Sequence, residues 1–330
     1  MVAQIDQTYK RFGWTKVLRR LVCYLLEGRP LTTRGRALNP LTRFFLQQCS
    51  RPFAGAAVDR PVFILGMGRS GTTFLGNAMS VHPAVAYFNE PKLMWSLAFP
   101  QDDLVGNYVL GPARYRMDEG GVTEQGARAI RAMYALCCAC TRSPRIVDKY
   151  PEMIFRLPFL AQIFPDARFV AIVRSGHNVI RSVASWNRRN AIELDGSREN
   201  WWGLDDRKWH FLCDQLLPGH PDFAAHVDTL RAITDDTQRS AIEWILTMEE
   251  IAARQAQWGD KLFVIRYEDL MNDTAVSVDN LTAFCGLRQD RSILEYVEAA
   301  KDFSPEVASC ELPDFIQAPF DRMIRHFGYR

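Results

Sequence analysis

The sequence predicts an α/β fold: a central parallel sheet of about five strands with helices on both faces. Three observations carry that reading. Five short apolar segments, residues 62–65, 84–87, 145–148, 167–173 and 262–266, have the length and residue types of strands. Helical patterns lie between them, for instance at 72–81, 123–140, 154–164, 178–188 and 237–257. Strands that alternate with helices pair in parallel and are covered on both faces. The third observation is a glycine-rich turn directly after the first strand, opening on a helix. Ligands bind beyond the C-terminal strand ends of such sheets. The residues after the first, fourth and fifth strands are therefore expected around one crevice.

Size and composition bound the answer. The chain has 330 residues, 48% hydrophobic and 24% charged, which is ordinary for a globular protein. It is long enough to bury a core without staples. Eight cysteines with no paired C-x-x-C do not make a disulfide scaffold. Cys137, Cys138 and Cys140 sit in an apolar helical run without His and read as core packing rather than a metal site. Free thiols fit a reducing compartment. The start of the chain is polar and charged, unlike a secretory leader, and no segment reads as a membrane span. A cytoplasmic location is expected.

Residues 1–60 form the first unit, a basic helical segment packed on the core. They hold eleven basic and three acidic residues, net +8, against +2 for the whole chain. Amphipathic helices are expected over 7–27 and 40–49. Two readings stand for this segment: peripheral contact with an anionic membrane, or a solvated helical cap over the sheet. The rest of the chain is net acidic, so nucleic acid is not an expected partner.

The strand at 62–65 runs into Gly66-Met67-Gly68-Arg69-Ser70-Gly71, and Thr72-Thr73 opens the helix. Backbone N–H groups converge in such a turn. With the positive end of the helix they make an anion-binding nest. The spacing has the outer frame of a nucleoside-triphosphate P-loop, so a P-loop-like three-layer fold is expected. Thr72 stands where that motif needs Lys. The cation sits inside the loop instead, as Arg69, which points to a donor other than ATP.

The run GMGRSGTTFL, residues 66–75, resembles the 5′-phosphosulfate-binding loop of sulfotransferases. These enzymes move a sulfuryl group from 3′-phosphoadenosine-5′-phosphosulfate (PAPS) to a hydroxyl or amine. A second segment agrees. A strand leads to Arg174, and Ser182 lies on the next helix. This resembles the family's 3′-phosphate site, where a fork donor and a hydroxyl suit a phosphate dianion. Ser175-Gly176-His177 departs from the Asp, Asn or Pro usual there. Tyr267, which opens Tyr267-Glu268-Asp269-Leu270, lies near the nucleotide by resemblance. The Gly-x-x-Gly-x-x-Lys loop of the cytosolic branch does not occur near the C-terminus. The resemblance covers about residues 61–90, 145–186 and 262–287. It is stronger to the bacterial and tyrosylprotein branch than to the cytosolic phenol and steroid branch.

That branch implies two further roles. Lys149 matches a lysine that reaches the transferring sulfuryl group, where a fixed ammonium stabilises charge on the bridging oxygen. The competing reading is a lysine salt-bridged beside Asp148. Glu90 matches a glutamate that takes the acceptor's hydroxyl proton. Its alternative is a capping or solvent-facing Glu before Pro91, with His82 and His177 as rival bases. Residues 188–223 interrupt the strand–helix alternation and read as a substrate-covering insertion. Trp201, Trp202 and Trp209 within it either offer faces to an acceptor or pin the segment to the core.

The expected function is O-sulfotransfer by in-line displacement, carried by an α/β domain at 61–330, with adenosine 3′,5′-bisphosphate released. Arg69, Ser70, Gly71, Thr72 and Thr73 are expected at the phosphosulfate; Arg174 and Ser182 are expected at the 3′-phosphate. Glu90, Lys149 and Arg69 are the expected catalytic groups, with no metal required. The expected acceptor is a carbohydrate or glycolipid hydroxyl, then a small alcohol or phenol, then peptide tyrosine. The alternatives are a P-loop-type nucleotide kinase and a non-catalytic nucleotide-binding module.

Overall fold

A computed structural model describes residues 2–30, 34–194, 196–301 and 310–329. The chain opens with three helices: α1 (Gln7–Lys10), α2 (Trp14–Leu26) and α3 (Asn39–Cys49). The single helix expected over 7–27 is two. Gly13, at φ +93, breaks it between α1 and α2, a conformation that glycine adopts without a Cβ penalty.

The main sheet contains β1 (Val62–Gly66), β2 (Val85–Asn89), β3 (Arg145–Lys149) and β4 (Arg168–Val173). A small antiparallel sheet follows, made of β5 (Ile192–Leu194), β6 (Ser197–Asn200) and β7 (Gly203–Leu204). The last main strand is β8 (Leu262–Arg266). The main order is β2-β3-β1-β4-β8, and every pair is parallel. These are the five strands read from the sequence, to within two residues at each end.

The remaining helices are α4 (Thr72–Ser80), α5 (Lys92–Ala98), α6 (Glu124–Thr141), α7 (Leu157–Ile163), α8 (Gly176–Asn190), α9 (Arg207–Gln215), α10 (Val227–Arg231), α11 (Asp236–Trp258), α12 (Tyr267–Asn272), α13 (Thr274–Cys285), α14 (Ser292–Ala300) and α15 (Asp314–His326). α7 starts later than expected, because the residues before it, Pro151–Arg156, wind as a 3-10 helix. Strand side chains alternate between two cores. Phe63, Leu65, Phe88 and Phe169 join α5 to α8, α11 and α15 on one side. Val62, Ile64, Tyr87 and Val170 join α4 and α12 to α14 on the other. This is the period-two pattern of a sheet buried on both faces.

α2 packs beside the edge strand β2. The buried Arg20 guanidinium pairs with Glu27 at 2.6 Å and donates to the Tyr87 carbonyl oxygen at 3.3 Å. Glu27 also accepts from the Asn89 N–H at 2.7 Å. The open edge is thereby covered. The cysteine run is not one buried face. Cys137 is buried with its sulfur 3.5 Å from that of Cys23, whereas Cys138 is half-buried and Cys140 exposed. A turn of about 100° per residue spreads three such neighbours around the helix. Among the described residues, no helix is long and apolar enough to cross a membrane.

Candidate active site

The glycine-rich turn sits at the centre of the sheet, where β1 lies between β3 and β4. Two glycines are required there. A Cβ on Gly66 (φ +129) would lie 2.6 Å from the Ile172 carbonyl oxygen of β4. One on Gly71 (φ +94) would lie 2.4 Å from the Tyr267 ring. Arg69 also has positive φ, +72, a strain of about 1–3 kcal/mol for a residue with a Cβ. α4 begins at Thr72 without a side-chain cap, so no cap side chain takes its first N–H groups. Ser70 Oγ is buried and has no partner among the described residues.

β4 and α8 bring a second set of donors to this turn. Arg69 Nε donates to Ser182 Oγ at 3.0 Å. Arg174 donates to the Arg69 carbonyl oxygen at 3.3 Å and lies over the Tyr267 ring at 4.4 Å. Arg174 Nε is buried without a partner among the described residues. Glu268 holds the turn after β4: it accepts from the Ser175 N–H at 3.1 Å and from the Tyr329 hydroxyl at 3.0 Å. Burial pushes the Arg69 pKa down, and the nearby Arg189 and Arg174 charges add to that against Glu90. Arg69 thus sits within the field of two other guanidinium groups. That is the electrostatic profile of an anion site.

On the other side of β1, β2 and β3 end side by side, with Asn89 opposite Lys149. The Glu90 N–H donates to the Lys149 carbonyl oxygen at 2.7 Å, and the Lys149 ammonium pairs with the Glu90 carboxylate. A line of alternating charges continues from there. Lys92 reaches Glu90 at 3.2 Å and Glu152 at 3.4 Å. Lys208 reaches Glu152 at 3.4 Å and Glu243 at 2.5 Å. Glu243 accepts from Trp201 Nε1 at 3.0 Å. Glu90 is the open end, with 35% side-chain exposure against 11% or less for the four residues after it. Burial pushes its carboxyl up, but Lys149 and then Lys92 outweigh burial and hold it below the usual carboxylate range. Asp148 is not the partner of Lys149. It accepts from Trp95 Nε1 at 2.9 Å and from the Tyr134 hydroxyl, and burial pushes its carboxyl up to about 7.

A cavity of about 150 Å³ adjoins Glu90, lined by Gly68, Lys92, Glu152, Glu199, Trp201 and Lys208 among others. A second cavity, about 330 Å³, shares Glu90 and Lys92 and is walled by Arg20, Tyr24, Arg29 and Tyr108.

The model of the sulfotransferase family matches residues 61–221. Residues 61–221 therefore carry the sulfotransferase-family pattern. Protein-tyrosine sulfotransferase 1 of Danio rerio is 29% identical over 151 residues, covering 42% of this chain and 39% of the relative. Nodulation protein NoeE of Sinorhizobium fredii is 30% identical over 131 residues, covering 37% and 30%. The chain thus spans about two fifths or less of the length of these curated relatives. In fold it is similar to a sulfotransferase of Mycobacterium avium (TM-score 0.52, 13% identity, 100% of this chain and 98% of the other). It is also similar to the sulfotransferase domain from the curacin biosynthetic pathway (0.50, 16%, 83% and 99%).

In this chain the aromatic residues of 188–223 divide. Trp201 lines the smaller cavity, and its ring is what a Cβ on Gly68 would meet at 2.4 Å. Trp202 and Trp209 are corrections to the sequence reading. Both are fully buried, edge-to-face at 5.5 Å, with Trp202 Nε1 donating to Asp236 at 2.8 Å. They pin the segment to α11 and offer no face to an acceptor. The rival bases sit elsewhere. His82 precedes β2, at the opposite end of that strand from Glu90, and is taken up by the Arg288 carbonyl and the Ala84 N–H, both at 3.1 Å. His177 lies edge-on to Phe320 at 5.0 Å, beside α15. Lys92, Glu152, Lys208, Glu243 and Arg189 were not singled out from the sequence. Lys92 and Glu152 carried one available signal, since each lies within three residues of an expected site residue.

Proposed function

We propose that this chain is an O-sulfotransferase that moves a sulfuryl group from PAPS directly to an acceptor hydroxyl. One observation supports this most. A phosphate-type loop with convergent arginines and partnerless buried donors ends beside the Glu90–Lys149 pair. PAPS supplies a sulfuryl group on a leaving oxygen. Arg69, Ser70 and the N–H groups of Gly71, Thr72 and Thr73 fit its phosphosulfate. Arg174 and Ser182 fit the 3′-phosphate, with Tyr267 beside them. Ser70 Oγ and Arg174 Nε, buried without partners among the described residues, are donors that such an anion would satisfy.

Glu90 takes the proton from the acceptor hydroxyl. The acceptor oxygen bonds to sulfur as the bond to the bisphosphate oxygen breaks. Lys149, already at Glu90, stabilises the charge that builds on the departing oxygen. The acceptor we favour is a carbohydrate or glycolipid hydroxyl. The cavity beside Glu90 has charged walls and the Trp201 indole, which suit a polyol with one apolar face. Peptide tyrosine is the second reading, favoured by the names of the curated relatives.

Calorimetry with adenosine 3′,5′-bisphosphate, AMP and ATP tests the donor. Preference for the bisphosphate is expected. Equal affinity for AMP would remove Arg174 and Ser182 from the 3′-phosphate, and Mg²⁺-dependent preference for ATP would favour a kinase. Radiolabelled PAPS with glycolipid, glycan and peptide fractions tests the acceptor. Label found only in peptide would replace our choice with tyrosine.

A further inference from the structure

We propose that the outer face of α2 and α3 seats the protein on an anionic bilayer surface. α2 is packed on one side, where Val17, Arg20, Cys23 and Leu26 are buried. Its other side carries Trp14, Leu18 and Leu25, which are 84%, 63% and 55% exposed. These fall within about 40° of arc on a helix. α3 repeats the pattern: Leu46 is buried, while Leu41, Phe44 and Phe45 are exposed. The two stripes meet. Val22, Leu25, Leu38, Leu41 and Phe45 line one groove of about 470 Å³ between the helices, and the Thr42 hydroxyl donates to the Leu25 carbonyl oxygen at 3.3 Å. Large exposed apolar residues elsewhere among the described residues are isolated, at Leu110 and Val276. A contiguous patch of this kind marks an interaction surface.

Charge selects the occupant. Glu27 is the one acidic residue between positions 7 and 58, and it is buried in its pair with Arg20. Lys10, Arg11 and Arg51 are exposed, and Arg36 and Arg43 half-buried. An apolar stripe rimmed by cations, with no exposed carboxylate, fits a helix pair lying in the interface of an anionic membrane. A second copy of the chain would face these cations with the same cations, which like-charge repulsion opposes. The inner side of α2 gives docking a use. Arg20 and Tyr24 wall the larger cavity that reaches Glu90, so about one helix diameter, roughly 10 Å, separates that cavity from the bilayer. This last step rests on the proposed function; docking itself does not.

The test is co-sedimentation of the full chain with phosphatidylcholine vesicles and with vesicles that also contain phosphatidylglycerol, at about 0.05 M and 0.5 M salt. Pelleting is expected with the anionic vesicles at low salt, with most of it lost at high salt. Leu18→Glu with Leu41→Glu should abolish it. Arg36→Gln with Arg43→Gln should weaken it roughly fivefold per cation removed. All four positions lie outside the core, and unchanged thermal melting checks that the variants fold. No pelleting of the unaltered chain at low salt overturns the proposal, as does undiminished pelleting of the Leu18/Leu41 variant. Light scattering run alongside identifies the other occupant. A dimer that this variant converts to monomer, without vesicle binding, assigns the face to a second copy and also overturns the proposal.

Discussion

Lys92→Met isolates the electrostatics of the buried charge line. The change removes an ammonium that is 11% exposed and lies 3.4 Å from Glu152 and 3.2 Å from Glu90. Met keeps most of the volume, so the loss is of charge rather than packing. Breaking a buried pair from one side costs about 3–5 kcal/mol, because the other charge stays buried. Two features set the value near the lower end. Glu152 keeps Lys208 at 3.4 Å, and Glu90 keeps Lys149 and partial contact with water. About 3 kcal/mol is expected at neutral pH, a fall in Tm of roughly 5–10 °C. A pH series checks the cause. Burial pushes the Glu152 carboxyl up, but Lys92 and Lys208 outweigh it and hold the carboxyl well below its ordinary range. A carboxyl depressed on folding contributes stability that is full above its unfolded pKa, near 4.3. That stability is lost as pH falls through the folded value. Lys92→Met raises the folded value, so the gap between variant and parent should be full at neutral pH and narrow below about pH 4. Thermal melts followed by circular dichroism read this directly. A gap under about 1 °C at neutral pH, or one that does not change with pH, would refute the reasoning. Adding Glu152→Gln should recover part of the loss, as coupled neighbours do.

Three other outcomes follow from the site. Glu90→Gln should keep bisphosphate affinity and lower turnover by about 10²–10⁴-fold. Since Lys149 and Lys92 hold Glu90 low despite burial, kcat/KM of the parent should stay level down to about pH 5; an acid limb near neutrality would move the base elsewhere, with His177 next to test. Arg174→Ala should weaken bisphosphate binding by about 2–5 kcal/mol with little effect on AMP, and equal losses for both ligands in calorimetry would show that it does not serve the 3′-phosphate. Trp209→Phe should lower stability by about 1–3 kcal/mol without changing acceptor KM, whereas Trp201→Phe should do the reverse; a KM change from Trp209→Phe would contradict its burial.

The sheet and the glycine-rich turn were legible because their signals are local. Short apolar runs separated by helical patterns, and the spacing from Gly66 to Thr73, need no knowledge of the tertiary fold. The approach of Glu90 to Lys149 was half legible. Each stood at an expected strand end, but their pairing depends on β2 and β3 being neighbours, which strand order alone decides. The line from Lys92 to Glu243 was hidden, because it joins residues from α5, a 3-10 turn, α9 and α11. The tryptophans show the limit of composition. Trp201 and Trp202 are adjacent in sequence, yet one faces a cavity and the other the core.

The charge line has a kinetic consequence. It holds three ammonium groups and three carboxylates, so at rest it is self-neutralised. On the proposed reading, an anionic donor upsets that parity at one end. Lys149 then divides its charge between two anions, and Glu90 is released from part of the field that keeps it a weak base. Proton affinity at Glu90 thus rises with the donor seated and stays low without it. An acceptor that arrives first meets a carboxylate still held by lysine. On that reading the base gains strength only once the donor is in place, so proton removal from the acceptor is confined to the complex that holds both.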